Sequence, residues 1–122
     1  MPTFELLYEK SHEWLGILED NTAYVGVSSY LIEHLKTVVG VSLPEVGQEI
    51  YRGISFGALE KTDEISELYA PTSGKILETN TKFVNELNTD DPWLLRIQVR
   101  IPANISTLLH LYEYKNFIEK LS

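Results

Sequence analysis

The side chains best suited to chemistry are carboxylates concentrated between residues 60 and 67. They are Glu60, Asp63, Glu64 and Glu67, and the only cation among them is Lys61. Two carboxylates can serve as general acid and base, but no spacing in this chain singles out such a pair. The surrounding stretch GALEKTDEISELYAP (57–71) predicts a strand, a tight acidic tip and a second strand that ends at a proline. The alternative is that these acids only confer solubility.

Other patterns for catalysis or metal binding are absent from the sequence. The three histidines, His12, His34 and His110, have no local ligand spacing, and HEW at 12–14 lacks the second histidine of a helical zinc motif. The chain has no cysteine nucleophile, no G-x-S-x-G motif and no glycine-rich phosphate loop. The residues therefore favour a small binding or carrier module over an enzyme, with no metal.

Length and charge narrow the class of protein further. The 122 residues suit a single domain, predicted over 1–122, and the formal net charge of −8 disfavours nucleic acid and anionic membranes as partners. No apolar run approaches the roughly 18 residues of a membrane span. The first residues do not resemble a secretory signal, and the absence of cysteine is compatible with a reducing compartment. We therefore expect a cytoplasmic protein, and a monomer.

Short β-rich segments separated by turn residues dominate the chain. They lie at 23–28, 38–43, 54–60, 74–79 and 93–99. Strands so short and close together predict a mainly β protein, either a β-sandwich or a flattened barrel.

Two segments instead show helical spacing of apolar residues. One begins at Ser28 or Ser29, whose hydroxyl is a suitable N-cap, and continues through Leu31, Leu35 and Val38. The second runs from Ile105 towards the C-terminus, and its broad apolar side predicts a helix that packs on the barrel. A helix that fills a partner's groove is the alternative for the second segment.

Nearly the whole chain, from about residue 8 to about residue 119, resembles the glycine cleavage system H proteins. The resemblance depends on several motifs taken together, since each alone is weak. They are HEW (12–14), AYVGVS (23–28), EHL (33–35), LPEVG (43–47), FGALE (56–60), LYAPTSGKILETN (68–80), PWLLRI (92–97) and YEYKNFIEKL (112–121).

The resemblance implies a fold, a cofactor and partners. H proteins have the biotinyl/lipoyl (barrel-sandwich hybrid) fold, a flattened β-barrel with small flanking helices. They are not catalysts. A lipoyl group on a hairpin lysine carries an aminomethyl group from glycine decarboxylase to the aminomethyltransferase, and dihydrolipoyl dehydrogenase reoxidises the group. The loaded arm rests in a cleft of the H protein.

The hairpin tip departs from the family pattern at the residue that would carry the lipoyl group. The family typically reads E-S-V-K-A-x-S-D-L-Y-x-P, whereas this chain reads E-K-T-D-E-I-S-E-L-Y-A-P from Glu60 to Pro71. The carrier lysine therefore corresponds to Asp63, and the alanine after it to Glu64. An aspartate has no amine with which to form the lipoyl amide. We therefore expect no lipoyl group at the usual position.

Lys61 offers the one alternative attachment point near the tip. On an extended strand it would share a face with position 63, about 6.5 Å away. A modifying enzyme that recognises a lysine at the tip should reject that displacement.

Two further departures from the family pattern lie later in the chain: the loop from Asn80 to Trp93 is shorter than usual, and Asp91-Pro92 precedes Trp93 where a glycine is normal.

Residues that match the family's cleft are retained. Ser11, Glu13 and His34 correspond to residues that line the pocket for the loaded arm, and Glu67 replaces the usual aspartate. They are either an inherited barrel surface or a cleft that still accepts a ligand, such as a lipoyl arm presented by another protein.

Three functional hypotheses follow. The first is a partner-binding or regulatory H-protein relative without a covalent arm, which docks on the glycine cleavage enzymes or on other lipoylated or lipoate-handling proteins. The second is a working lipoyl carrier modified at Lys61. The third and least supported is an unrelated enzyme activity that uses the acidic tip and His34.

Overall fold

A computed structural model describes residues 5–35, 38–80, 82 and 92–121 of the chain. Within these ranges the chain forms nine strands and two helices. In order they are β1 (Leu7–Tyr8), β2 (Glu13–Ile17), β3 (Thr22–Val27), α1 (Ser29–Leu35), β4 (Gly40–Ser42), β5 (Glu49–Ile50), β6 (Ser55–Glu60), β7 (Ile65–Tyr69), β8 (Gly74–Thr79), β9 (Trp93–Val99) and α2 (Leu111–Glu119).

The described strands form two antiparallel sheets. The larger has the order β1-β2-β3-β9-β8-β5 and the smaller the order β4-β6-β7. Apolar residues from both sheets meet in one core, among them Leu15 and Val25 of the larger sheet and Leu59 and Leu68 of the smaller sheet. This two-sheet β architecture with two short helices confirms the fold class predicted from the spacing of the strands.

The strand that leads to the acidic tip passes close to its neighbour. A Cβ atom at Gly57 of β6 would lie 2.2 Å from the carbonyl oxygen of Ser42 in β4, so only glycine permits this approach. The register of β6 with β7 also shifts beside Gly57. Gly57 therefore helps to set the position of the hairpin that carries the tip.

The first helix begins where the sequence predicts. The Ser28 hydroxyl accepts a hydrogen bond from the Leu31 amide at 3.3 Å, as expected of an N-cap. Leu31 and Leu35 are buried against the barrel. Val38, which the pattern assigned to the same helix, is buried in the core but lies outside it.

The C-terminal helix is shorter than the sequence pattern predicts. The apolar spacing begins at Ile105, but the helix begins at Leu111. The prediction for residues 105–110 is wrong because Leu109 forms a bridge with Tyr8, through backbone hydrogen bonds of 2.7 and 2.8 Å. That pairing requires extended backbone, and the Glu113 carboxylate then accepts a hydrogen bond from the His110 amide at 2.9 Å to start the helix.

The shortened connection between Asn80 and Trp93 falls largely outside the described residues. Asn80, Lys82 and Pro92 are described, whereas Asp91 is not. Neither helix in the described ranges has the length and apolar character needed to cross a membrane.

Candidate functional site

The acidic tip is the turn of the β6–β7 hairpin. Glu60 pairs with Ile65 at the end of the ladder, and the Lys61 amide donates to the Glu64 carbonyl at 2.9 Å. The hairpin predicted at residues 57–71 is therefore confirmed. Asp63 lies at the turn between these pairs with an exposed side chain. Its carboxylate accepts hydrogen bonds when ionised and offers no amine.

Lys61 does not lie beside Asp63 on an extended strand, as the sequence analysis placed it. The chain bends at Thr62 and Asp63, and Lys61 faces Glu64 across the turn. The Lys61 ammonium forms an ion pair with the Glu64 carboxylate at 3.4 Å, and its side chain is 25% exposed. The lysine is therefore paired and partly covered.

Glu13 is the buried carboxylate of the expected cleft. It is fully buried at the start of β2, and its two oxygens have different partners. The Ser11 hydroxyl donates to Oε1, and the Tyr69 amide of β7 donates to Oε2 at 2.9 Å. Burial raises the pKa of the Glu13 carboxyl above its ordinary value, although the hydrogen bonds from Ser11 and Tyr69 act to lower it.

Glu67 joins the same group through Tyr69. It lies on β7 opposite Ala58 with an exposed side chain, and the Tyr69 hydroxyl donates to its carboxylate at 3.2 Å. This hydrogen bond raises the pKa of the Tyr69 hydroxyl, and the negative charge of Glu67 raises it further. The structure thus brings Ser11, Glu13 and Glu67 together around one tyrosine.

Sequence reasoning did not single out Tyr69. The signal available was its position on β7, two residues after Glu67, which puts both side chains on the same face of the strand. The hydrogen bond from the Tyr69 backbone amide to the Glu13 carboxylate joins residues 56 positions apart in the chain, so no local pattern predicts it.

His34 enters the site through aromatic side chains. Its ring stacks on that of Tyr30 with centroids 5.9 Å apart, and the ring centroid of His12 lies 4.9 Å from that of Tyr30. Burial lowers the pKa of His12, and the nearby charge of His34 lowers it further. The sequence offered His12 only as a metal-ligand candidate without ligand spacing, but in the structure it belongs to this aromatic group.

The described residues contain no group of three or more histidine, aspartate or glutamate side chains arranged to hold a metal ion. The site consists instead of a solvated acidic tip and a buried carboxylate that is hydrogen-bonded to the edge of β7. Such an arrangement can accept hydrogen bonds or a cationic group, and Asp63 offers no amine.

Comparisons with known proteins identify the family. A family model described as "Glycine cleavage H-protein" matches residues 6–121. The chain belongs to this family. Among curated H proteins, that of Coprothermobacter proteolyticus is 40% identical over 119 residues, covering 93% of this chain and 94% of its relative. The H protein of Staphylococcus haemolyticus is 38% identical over 120 residues, with the same coverage of 93% and 94%.

A solved H-protein structure confirms the fold at the level of the family. The crystal structure of a glycine cleavage system H protein from Mycobacterium marinum superimposes with a TM-score of 0.83 at 34% identity. The match covers 97% of this chain and 99% of that chain. The barrel-sandwich type of fold expected from the resemblance is therefore confirmed.

Membership of the family defines the class of activity. H proteins are non-catalytic lipoyl carriers of the glycine cleavage system, and they interact with its enzymes. The residue at the tip of this chain, Asp63, does not fit the amide attachment of a lipoyl group, because that bond requires an amine.

Proposed function

We propose that this H-protein relative carries no lipoyl group and acts by binding partners of the glycine cleavage system. One observation carries the proposal: an exposed aspartate occupies the tip of an otherwise well-formed carrier hairpin. Beyond the register shift at Gly57, the ladder of β6 and β7 is regular up to Glu60 and Ile65, so the tip is presented in the usual manner of a hairpin but ends in carboxylates.

The environment of Lys61 supports the absence of modification there. Its ammonium is 3.4 Å from the Glu64 carboxylate, and its backbone amide donates a hydrogen bond to the Glu64 carbonyl across the turn. A ligase would have to break the pair and reach a side chain that is 25% exposed.

The exposed face of the hairpin supports a role in binding. Ile65 is 68% exposed and Tyr69 is 38% exposed, and Glu67 lies between them on β7. An aromatic and an aliphatic side chain flanking a charge are the kind of surface that protein partners cover. Our candidate partners are glycine decarboxylase, the aminomethyltransferase, dihydrolipoyl dehydrogenase and other lipoylated or lipoate-handling proteins.

The decisive experiment for the missing arm is intact-mass measurement after co-expression with a lipoate ligase and excess lipoate. The unaltered protein is expected to gain no mass, and Asp63→Lys is expected to gain one lipoyl group. Asp63→Lys combined with Lys61→Arg is the matched control, because it leaves only the lysine at the tip available in the hairpin. A lipoyl group on Lys61 of the unaltered protein would contradict the proposal and establish a carrier with a shifted attachment point.

Binding is tested separately by calorimetric titration against each of the three purified enzymes. We expect binding to at least one enzyme, weakened about fivefold by Glu67→Lys, which corresponds to ~1 kcal/mol. Glu45→Lys is the control, because Glu45 is also exposed but lies in the turn before β5 of the other sheet. The absence of heat with all three enzymes would refute these partners, whatever the mass measurement shows.

A further inference from the structure

The turn before β2 has an unusual backbone conformation. His12 has a φ of +83°, in the left-handed region that side chains other than glycine rarely adopt. Its two neighbours in sequence, Ser11 and Glu13, are hydrogen-bonded to each other, and Glu13 also accepts a hydrogen bond from Tyr69 of β7. The residue with the unusual conformation therefore directly precedes the carboxylate that bonds to β7.

The backbone hydrogen bonds of this turn are satisfied on both sides. The His12 amide donates to the Glu9 carbonyl at 3.0 Å, and the Glu9 amide donates to the Glu13 carbonyl at 2.8 Å. The His12 carbonyl accepts from the Ser28 amide at 2.9 Å. These bonds close the turn, but none of them involves the His12 side chain.

The His12 side chain is held by the C-terminal helix. Its Nδ1 lies 2.7 Å from the Tyr114 hydroxyl, which in turn lies 2.6 Å from the Ser28 hydroxyl. The Tyr114 ring stacks on Tyr8 of β1, with centroids 4.3 Å apart and planes 7° from parallel. Tyr114 is therefore buried and rigidly placed, and it holds the His12 ring on the side of the turn next to α2.

We propose that His12, anchored by Tyr114, is a positioning residue that holds Glu13 against β7, so that α2 controls the shape of the cleft. A strained residue keeps its conformation only where its surroundings over-determine it. Without the bond to Tyr114, the strained His12 backbone keeps its main-chain hydrogen bonds but loses its side-chain anchor, and we expect φ to shift towards a negative value. That rotation moves the flanking Ser11 and Glu13 away from the Tyr69 amide.

The contacts form a continuous physical path between two distant parts of the chain. Tyr114 contacts His12, which precedes Glu13, and Glu13 accepts the bond from Tyr69 beside the hairpin face. The path does not depend on what the tip carries, so it stands apart from the proposed absence of the lipoyl group. The alternative to the proposal is that the Tyr114 hydroxyl serves only as a hydrogen-bond partner of Ser28, the residue that caps α1.

Nuclear magnetic resonance distinguishes the two roles through the Tyr69 amide proton. A hydrogen bond to a carboxylate weakens when the carboxylate is protonated, so the chemical shift of this proton against pH reports the titration of Glu13. The charged or polar groups facing Glu13 are Ser11, Tyr69 and Glu9. The negative charge of Glu9 raises the pKa of the Glu13 carboxyl. None of these groups is changed by a substitution in α2.

Tyr114→Phe removes the hydroxyl and keeps the ring on Tyr8. The Tyr69 amide signal is expected to move upfield, and its titration midpoint to fall towards about 4.3, the value of a solvated glutamate. Tyr112→Phe is the matched control, because it removes a hydroxyl from the same helix at a side chain that is 67% exposed. It should leave both the signal and the midpoint unchanged.

A second variant keeps the test decisive if the first does not fold. His12→Ala removes the anchored ring but keeps a Cβ atom, so the strain at a φ of +83° remains while the bond to Tyr114 is lost. It should produce the same upfield shift and the same fall in the midpoint as Tyr114→Phe. A Tyr69 amide that titrates as in the unaltered protein, in whichever of these variants folds, would overturn the proposal.

Discussion

The tip of the hairpin and the start of β2 both contain carboxylates, but the two regions hold them in opposite ways. Asp63 and Glu64 are exposed, and Lys61 and Glu64 form an ion pair at the tip. Glu13 is fully buried and accepts hydrogen bonds from Ser11 and Tyr69. A solvated carboxylate can be exchanged at little cost, whereas a buried and bonded one cannot. Chemistry at the tip can therefore change while the scaffold beneath it remains intact.

The largest expected effect is at Glu13. Glu13→Ala leaves the Tyr69 amide without its acceptor and opens a cavity, and we expect the free energy of unfolding to fall by about 3 kcal/mol. Urea denaturation followed by circular dichroism measures the change. Glu13→Gln is the control, because its amide oxygen can still accept from Tyr69, and it should cost about 1 kcal/mol. Equal losses in the two variants would mean that the bond to β7 contributes little.

The next effect concerns the anchor on α2. Tyr114→Phe deletes the hydroxyl shared by His12 and Ser28 in a buried site, and we expect a loss of about 1 to 2 kcal/mol in the same measurement. Tyr112→Phe should change the free energy of unfolding by less than about 0.5 kcal/mol, since that ring is exposed. Equal losses in the free energy of unfolding for the two variants would mean that the buried tyrosine hydroxyl contributes no more to stability than the exposed one.

A smaller effect is expected from the titration of His12. Its pKa is lowered in the folded protein, so between that value and about 6.5 the unfolded chain binds more protons than the folded protein does. The stability contributed by this group is therefore present above about pH 6.5 and is lost as the pH falls through the folded pKa. Urea midpoints measured across this range should decrease towards acid in the unaltered protein. In His12→Gln this component should disappear, and an unchanged pH dependence would contradict the assignment.

The smallest effects belong to the tip. Asp63→Lys should alter the free energy of unfolding by less than about 0.5 kcal/mol, because the side chain is exposed. Lys61→Ala removes a partly exposed ion pair between neighbouring residues of the turn and should cost at most about 0.5 kcal/mol. Thermal unfolding of both variants beside the unaltered protein measures these changes. A loss above about 1 kcal/mol in either variant would show that the tip contributes to the fold.

Much of the scaffold follows from local sequence patterns. The strands at 74–79 and 93–99, the hairpin around the acidic tip and the start of α1 at Ser29 all agree with the structure. These elements depend on alternation, turn residues and a hydroxyl cap, which act over a few residues. The start of α2 was missed because the backbone pairing of Leu109 with Tyr8 overrides the helical spacing that begins at Ile105.

Some features of the candidate site likewise follow from the sequence alone, and others only from the tertiary structure. The sequence by itself determined that position 63 is an aspartate, that the tip has no amine in the usual place and that the chain belongs with the H proteins, because these depend on residue identity and order alone. The tertiary structure alone decided that Lys61 is paired across the turn, that Glu13 is buried against Tyr69 and that Tyr114 holds His12. The bond between His12 and Tyr114 joins residues 102 positions apart. Burial, pKa shifts and backbone strain depend on such distant neighbours, which only the folded chain brings together.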